Sequence, residues 1–259
     1  MSAPRTALLG VLAALGIAAL ATATVVRPDT ARRTVWVVPS SPAPATPPPV
    51  TMARYAFDGV PPLAWTDLTG NAQHLQPVAG NRAKPAFVAR DGGHAVRFPD
   101  PCTTEPCPRL VLRAPAKDKL NPGRQNLRFG AMVRLSPRNT SNGQNILQKG
   151  YSAEGSQYKL QVDGRAGHPS CVLVGDADRR VRIAVADLGV ADGGWHRLEC
   201  RRDAGTLTVL IDGNPRGSVA VPAALSITND DPLSIGGKSA HGDNDQFHGD
   251  LDDVWIAMG

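Results

Sequence analysis

Carboxylates are the side chains in this sequence best suited to breaking glycosidic bonds, and their spacing argues against that chemistry. A retaining glycosidase needs two carboxyl groups about 5–5.5 Å apart, one as nucleophile and one as acid. The chain has three glutamates, Glu105, Glu154 and Glu199, and no two of them lie two residues apart on one strand. Asp250 and Asp252 do have that spacing, so they are the one pair to follow into the structure.

Other reactive residues form no catalytic pattern. The sequence has no Gly-x-Ser-x-Gly motif, and its histidines lack the H-x-H or H-x-x-x-H spacing of a transition-metal site. A polysaccharide lyase needs a His or Tyr base and a group that neutralises a uronate. Candidates by residue type alone are Tyr151, Tyr158, Lys159 and Arg165. We therefore expect no catalytic site.

The element that organises the chain is a predicted β-hairpin. Residues 195–202 and 206–212 alternate between apolar and polar side chains, and the short connection at 203–205 contains a glycine. Period-two alternation puts one side of both strands on a core and the other side in water. We expect Asp212-Gly213-Asn214-Pro215 to turn the chain and to end the second strand, since proline cannot continue a central ladder.

Five motifs together resemble laminin-G-like domains of the concanavalin A-like lectin/glucanase superfamily. Gly194-Trp195-His196 precedes the hairpin and Asp212-Gly213 follows it at the family spacing. Residues 67–71 (DLTGN) resemble the turn after the family's first strand, and 93–98 (GHAVRF) resemble a later strand. Residues 247–256 (FHGDLDDVWI) resemble the closing strand, to which the family gives no catalytic role.

The resemblance extends over residues 52–258 and implies an all-β fold, a two-sheet antiparallel jelly-roll sandwich. In the family the first and last strands are neighbours. Trp195 is expected to fill one end of the core, as large aromatics of such sandwiches usually do.

Calcium is the cofactor that the resemblance implies, because laminin-G-like domains often hold one Ca²⁺. Calcium takes six to eight oxygen ligands, which acidic loops supply. The predicted ligands lie near the two ends of the domain: Asp58, Asp67, Asn71 and Asp252. The alternative is that these residues only form turns, and a second acidic cluster at 243–245 is open to the same two interpretations.

The chain divides into three predicted parts. Residues 1–26 have a charged start, an apolar centre and a small-x-small site, which predicts a cleaved signal peptide or, alternatively, an uncleaved transmembrane anchor. Residues 27–51 include the run PSSPAPATPPP, typical of an extended extracytoplasmic linker. Residues 52–259 form the sandwich domain. We expect an extracellular or cell-surface protein, with membrane contact only if the first segment is retained.

Four cysteines behind an export signal predict two disulfides. Three connectivities are possible, of which we favour Cys102–Cys107 and Cys171–Cys200. The first would close a short proline-flanked loop, and the second would join two core strands.

The formal net charge is +5 and is not concentrated in a run of like charges, so no nucleic-acid partner is expected. An acidic polysaccharide or an anionic cell-envelope surface fits this balance equally well. Trp65 and Tyr151 are the most loop-like aromatics and therefore the candidate sugar-binding residues. The sequence predicts a non-catalytic module that binds carbohydrate or cell-envelope glycan. The alternatives are a polysaccharide-cleaving enzyme of the same fold and a protein-adhesion or envelope-structural module.

Overall fold

Strands dominate the structure because apolar and polar residues alternate along most of the chain. The structure is a computed structural model, and it describes residues 47–115 and 118–259. Within these ranges fifteen strands form two antiparallel sheets, with one-turn 3-10 helices at Leu63–Trp65 and Asp118–Leu120. The predicted two-sheet sandwich is confirmed.

Sheet A has eight strands. They are β1 (Val50–Tyr55), β3 (Ala86–Arg90), β4 (Gly93–Arg97), β6 (Leu127–Arg134), β11 (Trp195–Asp203), β12 (Thr206–Ile211), β13 (Asn214–Ala220) and β15 (Asp250–Met258). Their spatial order is β13, β12, β11, β6, β15, β4, β3, and β1 also pairs with β15. The first and last strands are therefore neighbours, as the family resemblance implied.

Sheet B has seven strands. They are β2 (Gln76–Gly80), β5 (Arg109–Ala114), β7 (Gln144–Lys149), β8 (Gln157–Asp163), β9 (His168–Val174), β10 (Arg182–Val185) and β14 (Leu233–Ile235). Their spatial order is β10, β9, β8, β7, β14, β5, β2. Strands far apart in sequence, such as β5 and β14, are thus joined side by side.

The hydrophobic core lies between the two sheets. Phe129 of β6 and Tyr158 of β8 are fully buried, and their ring centroids are 5.1 Å apart. The Tyr158 hydroxyl donates a hydrogen bond of 3.1 Å to the Leu120 carbonyl, so its polar atom is satisfied inside the core. Since one face of each sheet is used by the core, alternate residues of every strand are left on the outer faces.

The predicted hairpin is present as β11 and β12, with Leu198 and Cys200 in the core. Asp212 and Gly213 both have positive φ and form the tight turn that follows. β12 ends at Ile211, so the prediction that this turn ends the second strand is confirmed, although β13 begins already at Asn214 and Pro215 pairs with Leu210 beside a bulge. β13 is the edge of sheet A, where a missing N–H leaves no partner unbonded.

The N-terminal predictions fall mostly outside the described residues. The signal peptide or anchor of residues 1–26 and the linker up to residue 46 belong to that part. β1 starts at Val50, so the last two residues assigned to the linker are part of the sheet. Among the described residues, no helix has the length and apolarity needed to cross a membrane.

Both disulfides have the connectivity that the sequence favoured. Cys102–Cys107 closes the short loop before β5, and no free cysteine remains. Cys171 of β9 bonds to Cys200 of β11, and both residues are fully buried. This second bond therefore joins sheet B to sheet A through the core.

His196 gives the hairpin a pH-dependent contribution to stability. Its Nδ1 lies 2.9 Å from an Asp212 carboxylate oxygen and its Nε2 lies 3.2 Å from Asp192. Burial lowers the pKa of His196, but the two carboxylates outweigh burial and raise the pKa above its usual 6.5. The protonated form is favoured in the folded state, so this stabilisation is complete below about pH 6.5 and is lost as pH rises through the higher folded pKa.

We expect His196→Asn to remove this part of the pH dependence, measured as the free energy of unfolding in urea at pH 5.5 and pH 8. The difference between wild type and variant should be larger at the lower pH. His241→Gln is the matched control, because His241 is exposed and its ring makes no hydrogen bond among the described residues. An unchanged difference at the two pH values would contradict the prediction.

Candidate functional site

The outer face of sheet B carries a continuous row of polar side chains. Register places Arg113 of β5 beside Ser234 of β14, Ser234 beside Gln148 of β7, and Gln148 beside Lys159 of β8. Their strand neighbours Leu112, Leu147 and Leu160 lie in the core, so these four side chains point away from it. We call this surface the polar face.

The centre of the polar face is unusually buried for an outer sheet surface. Gln148 and Ser234 are each 1% exposed, and Asn145, which lies beside the bulge of β7, is fully buried. Asn145 Nδ2 donates a 2.7 Å hydrogen bond to Gln148 Oε1, and Gln148 Nε2 donates one of 2.9 Å to the Gly150 carbonyl. These bonds fix the two amides in one orientation.

Several buried polar atoms of this face have no partner in the described chain. They are Asn145 Oδ1, Ser234 Oγ and Arg113 Nε. Buried polar groups are nearly always hydrogen-bonded, since an unpaired one costs about 1–3 kcal/mol. These atoms are covered by the protein, so a ligand rich in hydroxyl groups would meet the partly exposed side chains around them.

The rim of the face combines an aromatic ring with positive charge. The Tyr151 hydroxyl and Arg113 Nη2 both donate to the Lys238 carbonyl, at 3.1 and 2.8 Å. Lys238 Nζ pairs with Asp245 at 2.7 Å. Lys159 is half-buried and makes no ion pair among the described residues, and burial lowers its pKa.

The two predicted sugar-binding aromatics differ in their exposure to solvent. Tyr151 lies on the rim of the polar face, half-buried beside Arg113. Trp65 is 7% exposed and belongs to the core, where its ring centroid lies 5.4 Å from that of Phe87 and 6.2 Å from that of Phe57. Trp65 is therefore not an exposed stacking surface: the 3-10 turn that carries it folds the indole inward.

The four predicted calcium ligands are divided between two places. Asp67 and Asn71 share one loop, where Asp67 accepts bonds from the backbone of Arg54, Thr69 and Gln73. Asn71 donates to the Met52 carbonyl. In residues 47–115 and 118–259, no group of three or more His, Cys, Asp or Glu side chains is placed to hold a metal ion.

Asp58 and Asp252 are brought together in a second place, where Arg90 pairs with Asp252. Both aspartates line one small cavity, and the Arg90 guanidinium donates a hydrogen bond to Asp252. Burial raises the pKa of Asp252, and Arg90 opposes that rise. Asp58 is also engaged, since it accepts a bond of 3.0 Å from the His94 backbone N–H. The Arg90 guanidinium thus already supplies Asp252 with the positive charge that a bound cation would provide.

Calcium dependence stays a prediction, which melting curves in millimolar calcium and in chelator can decide. An ion at a hundredfold excess over its Kd would add about 2.7 kcal/mol. Because it must displace Arg90, we expect a much smaller difference. Asp252→Ala should abolish whatever difference exists, and Asp100→Ala is the control. A large calcium effect that Asp252→Ala removes would show that the ion does displace the guanidinium.

The Asp250 and Asp252 pair is used for structure. Both side chains lie on the outer face of sheet A, where Asp250 pairs with Arg97 and Arg134 at 2.8 and 2.6 Å and Asp252 pairs with Arg90. Each carboxylate is occupied by at least one guanidinium, so neither is free to act as the acid or as the nucleophile that must approach a sugar.

Trp195 lies on this same outer face, so its expected position in the core was wrong. The Arg90 and Arg134 guanidinium carbons lie 4.9 and 5.0 Å from its ring centroid. The alternation of β11 requires this placement, because Leu198 and Cys200 face the core and odd-numbered neighbours must face outward.

Sequence comparison places the chain in a family. A laminin-G model of the concanavalin A-like lectin/glucanases superfamily matches residues 124–258, which is 135 of the 259 residues. The chain belongs to this superfamily. Among curated proteins, none matches the chain significantly.

Solved structures show the superfamily fold at low sequence identity. Domain 4 of AbnA, a GH43 extracellular arabinanase from Geobacillus stearothermophilus solved in complex with arabinotriose, is 16% identical with a TM-score of 0.60, over 82% of this chain and 93% of that chain. The binding domain of Paraclostridial Mosquitocidal Protein 1 is 12% identical with a TM-score of 0.57, over 80% of this chain and 48% of that chain. The binding domain of Botulinum Neurotoxin DC in complex with SialylT is 7% identical with a TM-score of 0.55, over 80% and 47%. The chain spans about half the length of the two toxin domains.

Most residues of the polar face were missed by sequence reasoning. Ser234 stands between Leu233 and Ile235, and that contrast is a signal that could have found it. Gln148 and Asn145 lie in a strand with only two apolar residues, Ile146 and Leu147, so no such contrast marks them. A polar residue at an outward position of a central strand is ordinary, however, unless its burial is known.

Proposed function

We propose that this chain is a non-catalytic binding module that recognises a glycan on the polar face. The observation that carries the proposal is the group of partly exposed polar side chains, Arg113, Lys159 and Tyr151, around amides that hydrogen bonds hold in one orientation. Sugars present many hydroxyl groups that both donate and accept, so they can bond to the accessible guanidinium, ammonium and hydroxyl groups of this face. Tyr151 at the rim adds a ring edge against which a sugar can pack.

The solved relatives support the same conclusion. The arabinanase domain is described in complex with arabinotriose, and the toxin domain with SialylT. Both are domains of larger proteins, and the two toxin structures are named as binding domains. We propose that this chain also binds a glycan, and we assign that binding to the polar face.

An extracellular or cell-surface location is part of the proposal. Two disulfides form in the described chain, and such bonds persist in oxidising compartments. A glycan-binding module with two disulfides is consistent with an exported protein that binds polysaccharide outside the cytoplasm.

Binding is tested with a glycan array and a pull-down on cell-wall polysaccharides, followed by calorimetry on the best binder. Each hydrogen bond removed should cost about 0.5–1.5 kcal/mol, so we expect Arg113→Ala with Lys159→Ala to weaken binding about tenfold. Ser218→Ala is the matched control, an exposed serine on the edge strand of sheet A. Equal affinity of the double variant and wild type would remove the polar face from the proposal, and no binding by any glycan would remove the function.

The non-catalytic part has its own test. Incubation with β-glucans and uronate polymers should release no reducing ends and no unsaturated products, because the carboxylates at 250 and 252 are paired with arginines. Tyr158, one of the candidate lyase bases, is fully buried in the core and cannot reach a substrate. Product formation that Tyr151→Phe abolishes would instead identify a lyase.

A further inference from the structure

A second concave surface lies on the opposite side of the molecule, on the outer face of sheet A. It is a groove of about 490 Å³ in which four arginines surround one tryptophan: Arg54, Arg128, Arg197, Arg201 and Trp255. They come from β1, β6, β11 and β15, so four adjoining strands hold the groove rigidly. We call it the arginine groove.

The Trp255 indole forms the floor of the groove and packs over Gly130. Trp255 pairs with Gly130 of β6, and a Cβ atom added to Gly130 would lie 3.2 Å from the Trp255 ring. It would also lie 2.3 Å from the Leu198 carbonyl oxygen, so only glycine fits between the strands. The ring can therefore rest over β6 and remains half-buried, a form suited to stacking with a flat sugar face.

The groove contains more positive than negative charge. Its two carboxylates are already paired, Glu199 with Arg201 at 2.8 Å and Asp253 with Arg54 at 2.8 Å. Among the described residues, Arg128 forms one ion pair, with Asp203, at the long distance of 3.5 Å.

Arg197 makes no ion pair in the described part of the chain. Its side chain is exposed, and its guanidinium carbon lies 5.5 Å from the Trp255 ring centroid. Within the described chain Arg197 therefore remains unpaired beside the indole, and Arg128 adds a guanidinium with one long ion pair to the same groove.

In the neighbouring part of the same face, every arginine beside Trp195 has a carboxylate partner. Around Trp195, Arg90 is paired with Asp252, and Arg97 and Arg134 share Asp250. The free positive charge is thus concentrated at Trp255, although both places combine arginine with an indole. A guanidinium binds carboxylate or sulfate through two parallel hydrogen bonds, and it keeps its charge at every physiological pH.

We propose that the arginine groove is a separate binding site for an acidic polysaccharide. A carboxylate or sulfate group of the polymer accepts hydrogen bonds from Arg197 and Arg128, and an adjoining sugar ring stacks on Trp255. This site is independent of the polar face and takes a different ligand, so a protein with both can bridge a neutral and an acidic glycan.

The test measures binding of the full sandwich domain to polygalacturonate, dextran sulfate and neutral dextran by calorimetry at low and at high salt. We expect binding to one or both acidic polymers, weakened by salt, and none to neutral dextran. The two acidic polymers distinguish a carboxylate from a sulfate ligand. Tighter binding of single-stranded DNA than of either polymer would overturn the proposal in favour of a nucleic acid, and absence of binding to both would also overturn it.

Variants locate the site. Arg128→Ala with Arg197→Ala should weaken acidic-polymer binding at least tenfold, whereas Arg197→Lys should retain part of it. Arg165→Ala is the control, because Arg165 is exposed in the turn between β8 and β9. Trp255→Phe should remove the fluorescence change caused by the polymer, while melting temperatures report that each variant folds. Unchanged binding by the double arginine variant would refute this assignment. The Arg113 and Lys159 variants should bind the acidic polymers normally, which separates this site from the polar face.

Discussion

Replacing both Cys171 and Cys200 with serine is expected to lower the free energy of unfolding by about 2–5 kcal/mol. The bond joins β9 of sheet B to β11 of sheet A, and its cysteines are 29 residues apart in sequence. Closing a loop of that size in the unfolded chain corresponds to about 3.6 kcal/mol. Both positions are fully buried, so the two new hydroxyls add a desolvation cost.

The other disulfide provides the comparison. Cys102 and Cys107 are only five residues apart, and the same relation gives about 2 kcal/mol for so short a loop. Cys102 is exposed, so serine there meets water. Urea denaturation of both double variants under non-reducing conditions measures the two losses. The prediction fails if the Cys102 and Cys107 variant is the less stable of the two.

Lys149→Met is expected to cost about 3 kcal/mol, a large effect for one side chain. Lys149 is fully buried, and its Nζ donates to the Asn229 carbonyl, to Asn229 Oδ1 and to the Asp231 carbonyl at 2.8, 2.8 and 3.0 Å. Methionine fills a similar volume but removes three hydrogen bonds from a charged donor, each of which contributes about 1.5–3 kcal/mol at most. Among the described residues, the Asp231 carbonyl is then left without a donor, whereas Asn229 keeps bonds from Asn121 Nδ2 and from the Asp231 N–H. Lys159→Met is the control, since Lys159 is on the adjacent strand and makes no ion pair among the described residues.

The pH dependence of Lys149 separates its charge from its packing. Burial lowers the pKa of Lys149 from 10.5 to about 8. Between these values the unfolded chain binds more protons than the folded one, so this residue makes stability rise with pH across the window from 8 to 10.5. Wild type should therefore exceed Lys149→Met by more at pH 10 than at pH 7 in urea denaturation. Parallel pH profiles would mean that Lys149 titrates normally.

Strands with strict alternation and a glycine turn could be predicted from sequence, as β11 and β12 were, whereas β15 was identified by its resemblance to the closing strand of the family. β5 was missed because Leu110, Val111 and Leu112 are all fully buried, so its sequence shows no alternation. β2 was missed for the opposite reason: four of its five residues are exposed, so it carries almost no apolar signal. Pattern reasoning thus fails where both faces of a strand have the same surroundings.

The candidate site was largely beyond the reach of sequence reasoning. Tyr151 was found because it follows a strand and begins a turn, but the polar face depends on β14 pairing with β5 and with β7. Residue 113 is far from 234 in sequence, and no local pattern states that register. Trp65 was misjudged for a related reason, since only the fold shows that Phe57 and Phe87 enclose it.

The position of β15 has a consequence for the order in which the chain can assemble. β15 pairs with β1, β4 and β6, and Val50 at the start of the domain faces Met258 near its end. A ribosome releases residue 50 long before residue 258, so sheet A cannot be completed until residues 250–258 have left the ribosome. The nascent polypeptide must wait with β1 unpaired until β15 emerges, and a premature stop before residue 250 would leave three strands without the partner they share.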